Sequence, residues 1–441
     1  MHVHFKEIPV EELRKYGKAR FYKAEFSLLI LVLVLTVGLL MLGLLGKEEK
    51  LVWSVIWTII VYLLGVGMAG PAISAILLVV KARWSSVAVR IFESFVIVGW
   101  LAFFLLWVIW FGKEILFPWG SGEGLPGREF YMQPWFAFLR NGCLLFFYLC
   151  YATWFVMKSV RLDIAYILSK NDYHRDYLDW EYIGDKWIAT RNFFEQNEKA
   201  HRQLCWHAPI LILFYAVTMS LFGFEFIMGM DPIWYSNLFG AHYAVTSLYL
   251  TWCFGFCLSV NLKQNIKPIS AYFDQQFFWD LGKLIFGFAM LWAYFSFSQY
   301  LVQWYGNLPE ETAWIALRVR DYPWNILMWF VFGSCFVFPF LTLLSQDVKK
   351  NWQLLFVPAV AAVIGLYGER FLLIAPSVFG YDFTLTTWNA TLIISGFFFS
   401  VACVLYFSLH FLSHYPFFAF GRHLFIDAVK KGDIKLVEEF S

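Results

Sequence analysis

Stretches of roughly 20 apolar residues recur ten times along this 441-residue chain, and that recurrence constrains the fold more than any motif. They cover Phe26–Leu45, Leu51–Val80, Ile91–Phe111, Trp135–Met157, Cys205–Phe226, Asn237–Val260, Leu281–Tyr305, Trp324–Leu344, Leu354–Leu373 and Thr391–Leu412. A helix rises 1.5 Å per residue, so about 20 residues cross the ~30 Å hydrocarbon core of a bilayer. Composition agrees: 60 % of residues are apolar, 22 % aromatic and only 15 % charged, against about 25 % charged in soluble domains. The pattern predicts an all-α polytopic membrane protein, one membrane domain of ten spanning helices.

Charge sets the expected topology. The N-terminal segment, the tail and the loops after even-numbered spans hold 25 of the 34 Lys and Arg. The opposite loops hold 7, and Arg140 and Lys283 fall inside or at the edge of spans. Cytoplasmic loops carry the excess of basic residues, so both termini are expected in the cytoplasm. Met1–Glu25 is charged and lacks a small-residue cleavage site, so the first span reads as a retained signal anchor. The net charge of +2 is spread by insertion and points to no nucleic-acid partner. One sizeable insertion, 159–202, is expected to lie as short helices on the cytoplasmic face. The tail, 413–441, suggests an amphipathic helix around Leu424, Ile426, Ala428, Ile434 and Val437.

Polar residues inside the spans are the candidates for chemistry, because unpaired polar groups in hydrocarbon are costly. Ser296, Gln299 and Gln303 fall at i, i+3 and i+7, one stripe facing protein or water. Glu93 follows Arg90 by three positions and fits two roles, proton uptake or a paired boundary residue. Glu225 lies below the outer surface, with Arg140 as a candidate partner, and suits proton release. Asp231 before Pro232 reads as a turn or helix cap. Glu369 and Arg370 are adjacent, so their side chains diverge by about 100° and each needs a partner elsewhere. Lys283 sits three residues after Asp280, the spacing of a local ion pair. Glu310 and Glu311 follow Pro309 in an expected acidic turn, Asn307–Thr312, and fit a capped turn or a subunit contact.

Cofactor ligands are not apparent. The seven cysteines, Cys143, Cys150, Cys205, Cys253, Cys257, Cys335 and Cys403, all lie in spans and form no CxxC motif. His207 and His242 lie near span ends, while His410 and His414 share one helix face, so no pair has bis-histidine haem geometry. We expect no metal and no cofactor on this chain.

The run Asp280–Thr312, DLGKLIFGFAMLWAYFSFSQYLVQWYGNLPEET, resembles the seventh helix of the second NrfD-like membrane subunit of alternative complex III. Leu221–Gly240, LFGFEFIMGMDPIWYSNLFG, resembles that family's turn after helix 5, with Glu225 where the family has Asp. The resemblance runs from helix 3 to helix 10 and implies two four-helix bundles, helices 2–5 and 6–9, flanked by helices 1 and 10. A faint internal repeat would suit it: GWLAFFLLW, GLPGREF and PWFAFLR against FAMLWAYFSF, NLPEETA and PWNILMW. The implied role is a subunit of a quinol-oxidising respiratory complex in the bacterial cytoplasmic membrane. The implied partners are a sister NrfD-like subunit, an iron–sulfur and molybdopterin-like subunit and c-type cytochromes. Quinol, iron–sulfur clusters and c-type haems would belong to those partners. The family carries acids comparable to Glu93 and Glu369, whereas the 159–202 insertion and Arg370 depart from its pattern. Two rivals stand beside this reading: an NrfD-like anchor that itself exchanges electrons with quinone, and a secondary transporter. The transporter lacks its signature, since Gly65, Gly67, Gly70 and Pro71 in helix 2 have no counterpart in helix 6.

The charge asymmetry gives a direct expectation. Reporter fusions within Lys158–Arg202 should read as cytoplasmic and fusions within Leu308–Asp321 as external; the opposite pattern would overturn the topology.

Overall fold

The computed structural model describes residues 24–415 apart from 47, 123–126, 128, 171–192, 266–269 and 271–272. Ten helices among them are long and apolar enough to cross a bilayer. We number them α1 (Ser27–Leu45), α2 (Glu49–Val79), α3 (Val89–Phe111), α4 (Pro134–Asp163), α5 (Glu198–Met230), α6 (Phe239–Asn265), α7 (Gln275–Gly306), α8 (Trp324–Leu343), α9 (Trp352–Phe379) and α10 (Thr387–His414). The chain is an integral multi-pass membrane protein, and each expected span is a helix.

The helices outrun the apolar stretches. The helix of α4 continues to Lys170 and that of α5 begins at Phe193. No Gly or Pro interrupts Lys158–Lys170, and breaking a helix that is already propagating has no local cause there. The flanks of the 159–202 insertion are therefore extensions of spanning helices, not separate short ones. Its centre, 171–192, lies outside the described residues, as do 1–23 and the tail from 416.

Helix α2 is the core. It is apolar on all sides and buried along nearly its whole length, as a helix enclosed by others must be. It touches α3, α5, α6, α9 and α10. Glycine brings its backbone against that of α3: a Cβ on Gly67 would lie 2.1 Å from the amide nitrogen of Gly99. A Cβ on Gly70 would lie 2.4 Å from the carbonyl oxygen of Phe92. Close backbone approach through small residues is how helices gain contact in lipid, where burial against an equally apolar solvent gives little. Helix α1, by contrast, leaves Leu28, Leu31, Val34 and Leu35 exposed, the surface a lipid-facing helix presents.

The acidic turn expected after α7 is instead the start of a further helix. Asn307 takes a left-handed conformation at φ 47° and ends α7. A roof helix then runs over Pro309–Val319. Proline suits its first turn, and Glu310 and Glu311 meet the positive end of its dipole. Trp314 stacks on Trp234 at 3.8 Å between centroids, tying the roof to the segment between α5 and α6.

Two glycines of α2 and α7 predict opposite outcomes. Gly67→Val should destabilise the protein by about 3 kcal/mol or more through overpacking against backbone. Gly287→Ala, with nothing within 4 Å of the added Cβ, should be neutral or stabilising by up to about 1 kcal/mol. Thermal unfolding of the detergent-solubilised chain reads both.

Candidate functional site

The acidic residues of the spans resolve into three buried polar clusters, each joining two or more helices. At the start of α3, Glu93 accepts from Ser74 of α2 at 2.8 Å and from Ser159 of α4 at 3.4 Å. Arg90 pairs with Glu93 on one side and Asp163 of α4 on the other. All five residues are fully buried. Arg90 and Glu93 were expected to pair on one helix face, and they do. Their burial and the second carboxylate, Asp163, were not legible, because Asp163 falls in what reads as a soluble insertion.

The second cluster lies at the opposite end of α4, against the end of α5. Glu225 sits in a π-helical turn, Gly223–Ile227, at the end of α5. Its carboxylate accepts from Tyr131 Oη at 2.5 Å and from Arg140 Nε at 3.2 Å and Nη2 at 2.5 Å, with Asn141 Nδ2 as a further donor. Arg140 is therefore the partner that its position suggested. The guanidinium lies 3.8 Å over the Tyr131 ring and donates to the Tyr131 carbonyl at 3.1 Å. Burial raises the pKa of Tyr131 above the usual phenol value, and the carboxylate beside it adds to the rise while Arg140 opposes it. The phenol thus stays a donor to Glu225 at neutral pH. Asp231, four residues past this turn, accepts from the amides of Ile233 at 3.1 Å and Trp234 at 3.2 Å, the capped turn expected of Asp before Pro.

The third cluster centres on Glu369 of α9. Trp292 of α7 donates to its Oε1 at 2.7 Å, and His242 Nε2 of α6 lies 3.2 Å from the same atom. Arg370 reaches back to Glu369 after all. Its Nη1 lies 3.0 Å from Oε2, at an angle that makes no hydrogen bond, so that contact is coulombic. The expected divergence of neighbours holds for Cβ but not for the end of a long arginine. Arg370 also donates to Thr246 at 2.7 Å and lies 4.6 Å over the Tyr243 ring, both on α6.

Beside Glu369 a cavity of about 530 Å³ opens between α6, α7, α8, α9 and the roof helix. The stripe Ser296, Gln299 and Gln303 lines it, with His242, Trp292 and Glu369. The stripe therefore faces protein as expected, with Gln299 and Gln303 buried. At the roof end lies Arg318, which sequence reasoning had counted only as a loop charge. Pro376 has no amide to offer the carbonyl of Leu372, four residues earlier, and Arg318 Nε donates to that carbonyl at 3.1 Å. Further bonds run to Leu373 O at 3.2 Å, Ser377 Oγ at 2.9 Å and Trp314 O at 2.9 Å. Burial lowers the pKa of Arg318 to about 9, with Asp231 opposing, which leaves it charged at neutral pH. A proline four residues after a free carbonyl was the one signal in the sequence for this site.

The remaining candidates stay apart from these clusters. Lys283 pairs with Asp280 at 2.5 Å and is half exposed. Glu310 is exposed and Glu311 partly so on the roof helix. The sequence matches no protein-family model and no curated protein.

Arg140 gives a test of what holds the second cluster. Arg140→Met should destabilise the protein by about 3 kcal/mol, because it strands a buried carboxylate. Arg140→Met combined with Glu225→Gln should recover most of that loss in thermal unfolding, since the stranded charge is then gone.

Proposed function

We propose that this chain is a membrane subunit of a quinol-oxidising respiratory complex of the alternative complex III type, and that it conducts protons. The observation that carries the reading is the placement of Glu93 and Glu225. Both are buried acids held by side chains of neighbouring helices, and they occupy opposite ends of the group formed by α2 to α5. One serves for uptake at the face that the charge bias assigns to the cytoplasm, the other for release at the opposite face. Glu369, linked to His242 and next to the Ser296–Gln299–Gln303 stripe, forms the corresponding acid among α6 to α9.

Carboxylates and histidine suit such a path because each can bind and release a proton while its neighbours keep it oriented. Tyr131 and Ser74 donate to these carboxylates, so the acids sit in defined orientations before any proton arrives. The resemblance supplies the rest of the reading: a sister NrfD-like subunit, an iron–sulfur and molybdopterin-like subunit and c-type cytochromes as partners in a bacterial cytoplasmic membrane, and redox centres on those partners, none on this chain.

The test is carried out in the native complex. Glu93→Gln, Glu225→Gln and Glu369→Gln keep shape and hydrogen bonding but remove titration near neutral pH. At least one should cut proton translocation per quinol oxidised by roughly half or more, with assembly and electron transfer retained. A single blocked step in a relay costs that much when its barrier rises by only about 1 kcal/mol. Normal coupling in all three assembled variants would sink the proton path. Co-purification without the named partners would sink the assignment to this complex.

A further inference from the structure

The cavity between α6 and α9 carries a demand that the Glu369 cluster does not meet. At its inner end Trp292 and His242 hold Glu369 Oε1, while Oε2 meets Arg370 by charge alone. A separate demand lies at the roof. Gln303 is only 4 % exposed, lines the cavity, and its Oε1 has no hydrogen-bond partner. Arg318, 3 % exposed, lines the same space. Its four hydrogen bonds all go to carbonyls or a hydroxyl, and among the described residues no carboxylate lies within ion-pair distance of it. One of the five N–H donors of a guanidinium is left over. Asp231 acts on Arg318 only from beyond ion-pair distance, and Trp314 covers one face of the guanidinium at 3.7 Å. A buried cation with no anion in contact is costly, so the roof end favours an anion with a hydroxyl group beside it.

Aromatic and aliphatic side chains make up most of the remaining wall, and the cavity opens to lipid. Phe297 of α7 and Trp329 of α8 line it and are 58 % and 63 % exposed, so the gap between those helices faces the bilayer. Water fills such a space poorly, because each molecule needs two to four polar partners. From Gln303 down to Ala293 the cavity follows about 15 Å of α7 at 1.5 Å per residue. That is one leaflet's share of a ~30 Å hydrocarbon core. A chain reaching in from one leaflet therefore places its head group at the roof helix.

We propose that this cavity is a binding site for one anionic glycerophospholipid of the phosphatidylglycerol kind. An acyl chain lies between α7 and α8, the phosphate faces Arg318, and a glycerol hydroxyl donates to Gln303 Oε1. A charge-assisted contact from guanidinium to phosphate supplies affinity, and selectivity over phosphatidylcholine comes from the head group beyond the phosphate, where choline offers a cation to Arg318 and no hydroxyl to Gln303. The apolar walls supply retention. The site rests on Arg318, Gln303 and the cavity, and does not depend on the respiratory assignment.

Native mass spectrometry of the full chain, delipidated and titrated with dioleoylphosphatidylglycerol or dioleoylphosphatidylcholine, tests it. Retention of one phosphatidylglycerol with about tenfold preference over phosphatidylcholine is expected, about 1.4 kcal/mol for the lost hydroxyl bond to Gln303 and the choline cation set near Arg318. Arg318→Gln should abolish the preference. Ala293→Trp, which fills the cavity and leaves the charge, should abolish retention. Gln303→Leu should weaken binding severalfold and keep the fold if Arg318→Gln does not. Free glycerol 3-phosphate at millimolar concentration should not displace the lipid. Equal binding of both lipids, preference unchanged in all three variants, displacement by glycerol 3-phosphate, or an isoprenoid quinone occupying the cavity instead would each overturn the proposal.

Discussion

Hydrocarbon offers no water to a polar group, so every charge inside this protein has to be answered by the protein itself. Four arginines carry most of that task. Arg90 joins α3 to α4 through Asp163, Arg140 joins α4 to the end of α5 through Glu225, and Arg370 joins α9 to α6 through Thr246. Arg318 joins the roof helix to α9 through two backbone carbonyls. Each acts through a planar fork of donors that a lysine lacks. The placement of the helices around α2 then fixes which acid meets which arginine.

Local irregularities in the helices decide where those partners point. The π-helical turn at Gly223–Ile227 adds a residue to the turn that carries Glu225, and such turns recur at functional sites. A second one, Gly333–Val337, lies in α8 against α9. There Gly365 meets Ser334 so closely that a Cβ would come within 2.2 Å of its hydroxyl oxygen. Pro376 acts by subtraction, freeing the carbonyl that Arg318 takes. These defects set Glu225 and the carbonyl that Arg318 takes, while Glu369, Trp292 and Asp163 project from regular helix.

What was legible in the sequence follows from the range of each interaction. The spans were legible because a bilayer imposes length and apolarity on every one. The stripe Ser296–Gln299–Gln303 and the pairs Arg90–Glu93 and Asp280–Lys283 were legible because helical periodicity fixes them locally. Asp163 and His242 were missed as members of the clusters because they meet Arg90 and Glu369 only through tertiary packing. The Glu369–Arg370 contact was misjudged for a different reason. Helical angles describe where a side chain leaves the backbone, and arginine is long enough to come back. The roof helix hid behind a proline and two glutamates, which mark a turn and a helix start equally well.

Helices in a membrane can associate through packing alone. The contact of Gly67 with Gly99 shows α2 and α3 meeting backbone to backbone without a charge between them. Buried ion pairs, in contrast, return little net stability, because desolvation offsets most of the attraction. Replacing such a pair with apolar side chains of similar volume is often neutral or stabilising. A chain under demand for stability alone has no physical reason to place Glu93, Asp163, Glu225 and Glu369 inside a membrane. The proposed proton path gives them one, a group that can gain and lose a proton at that depth. The arginines then read as what makes those acids tolerable, and the acids as the reason the arginines are there.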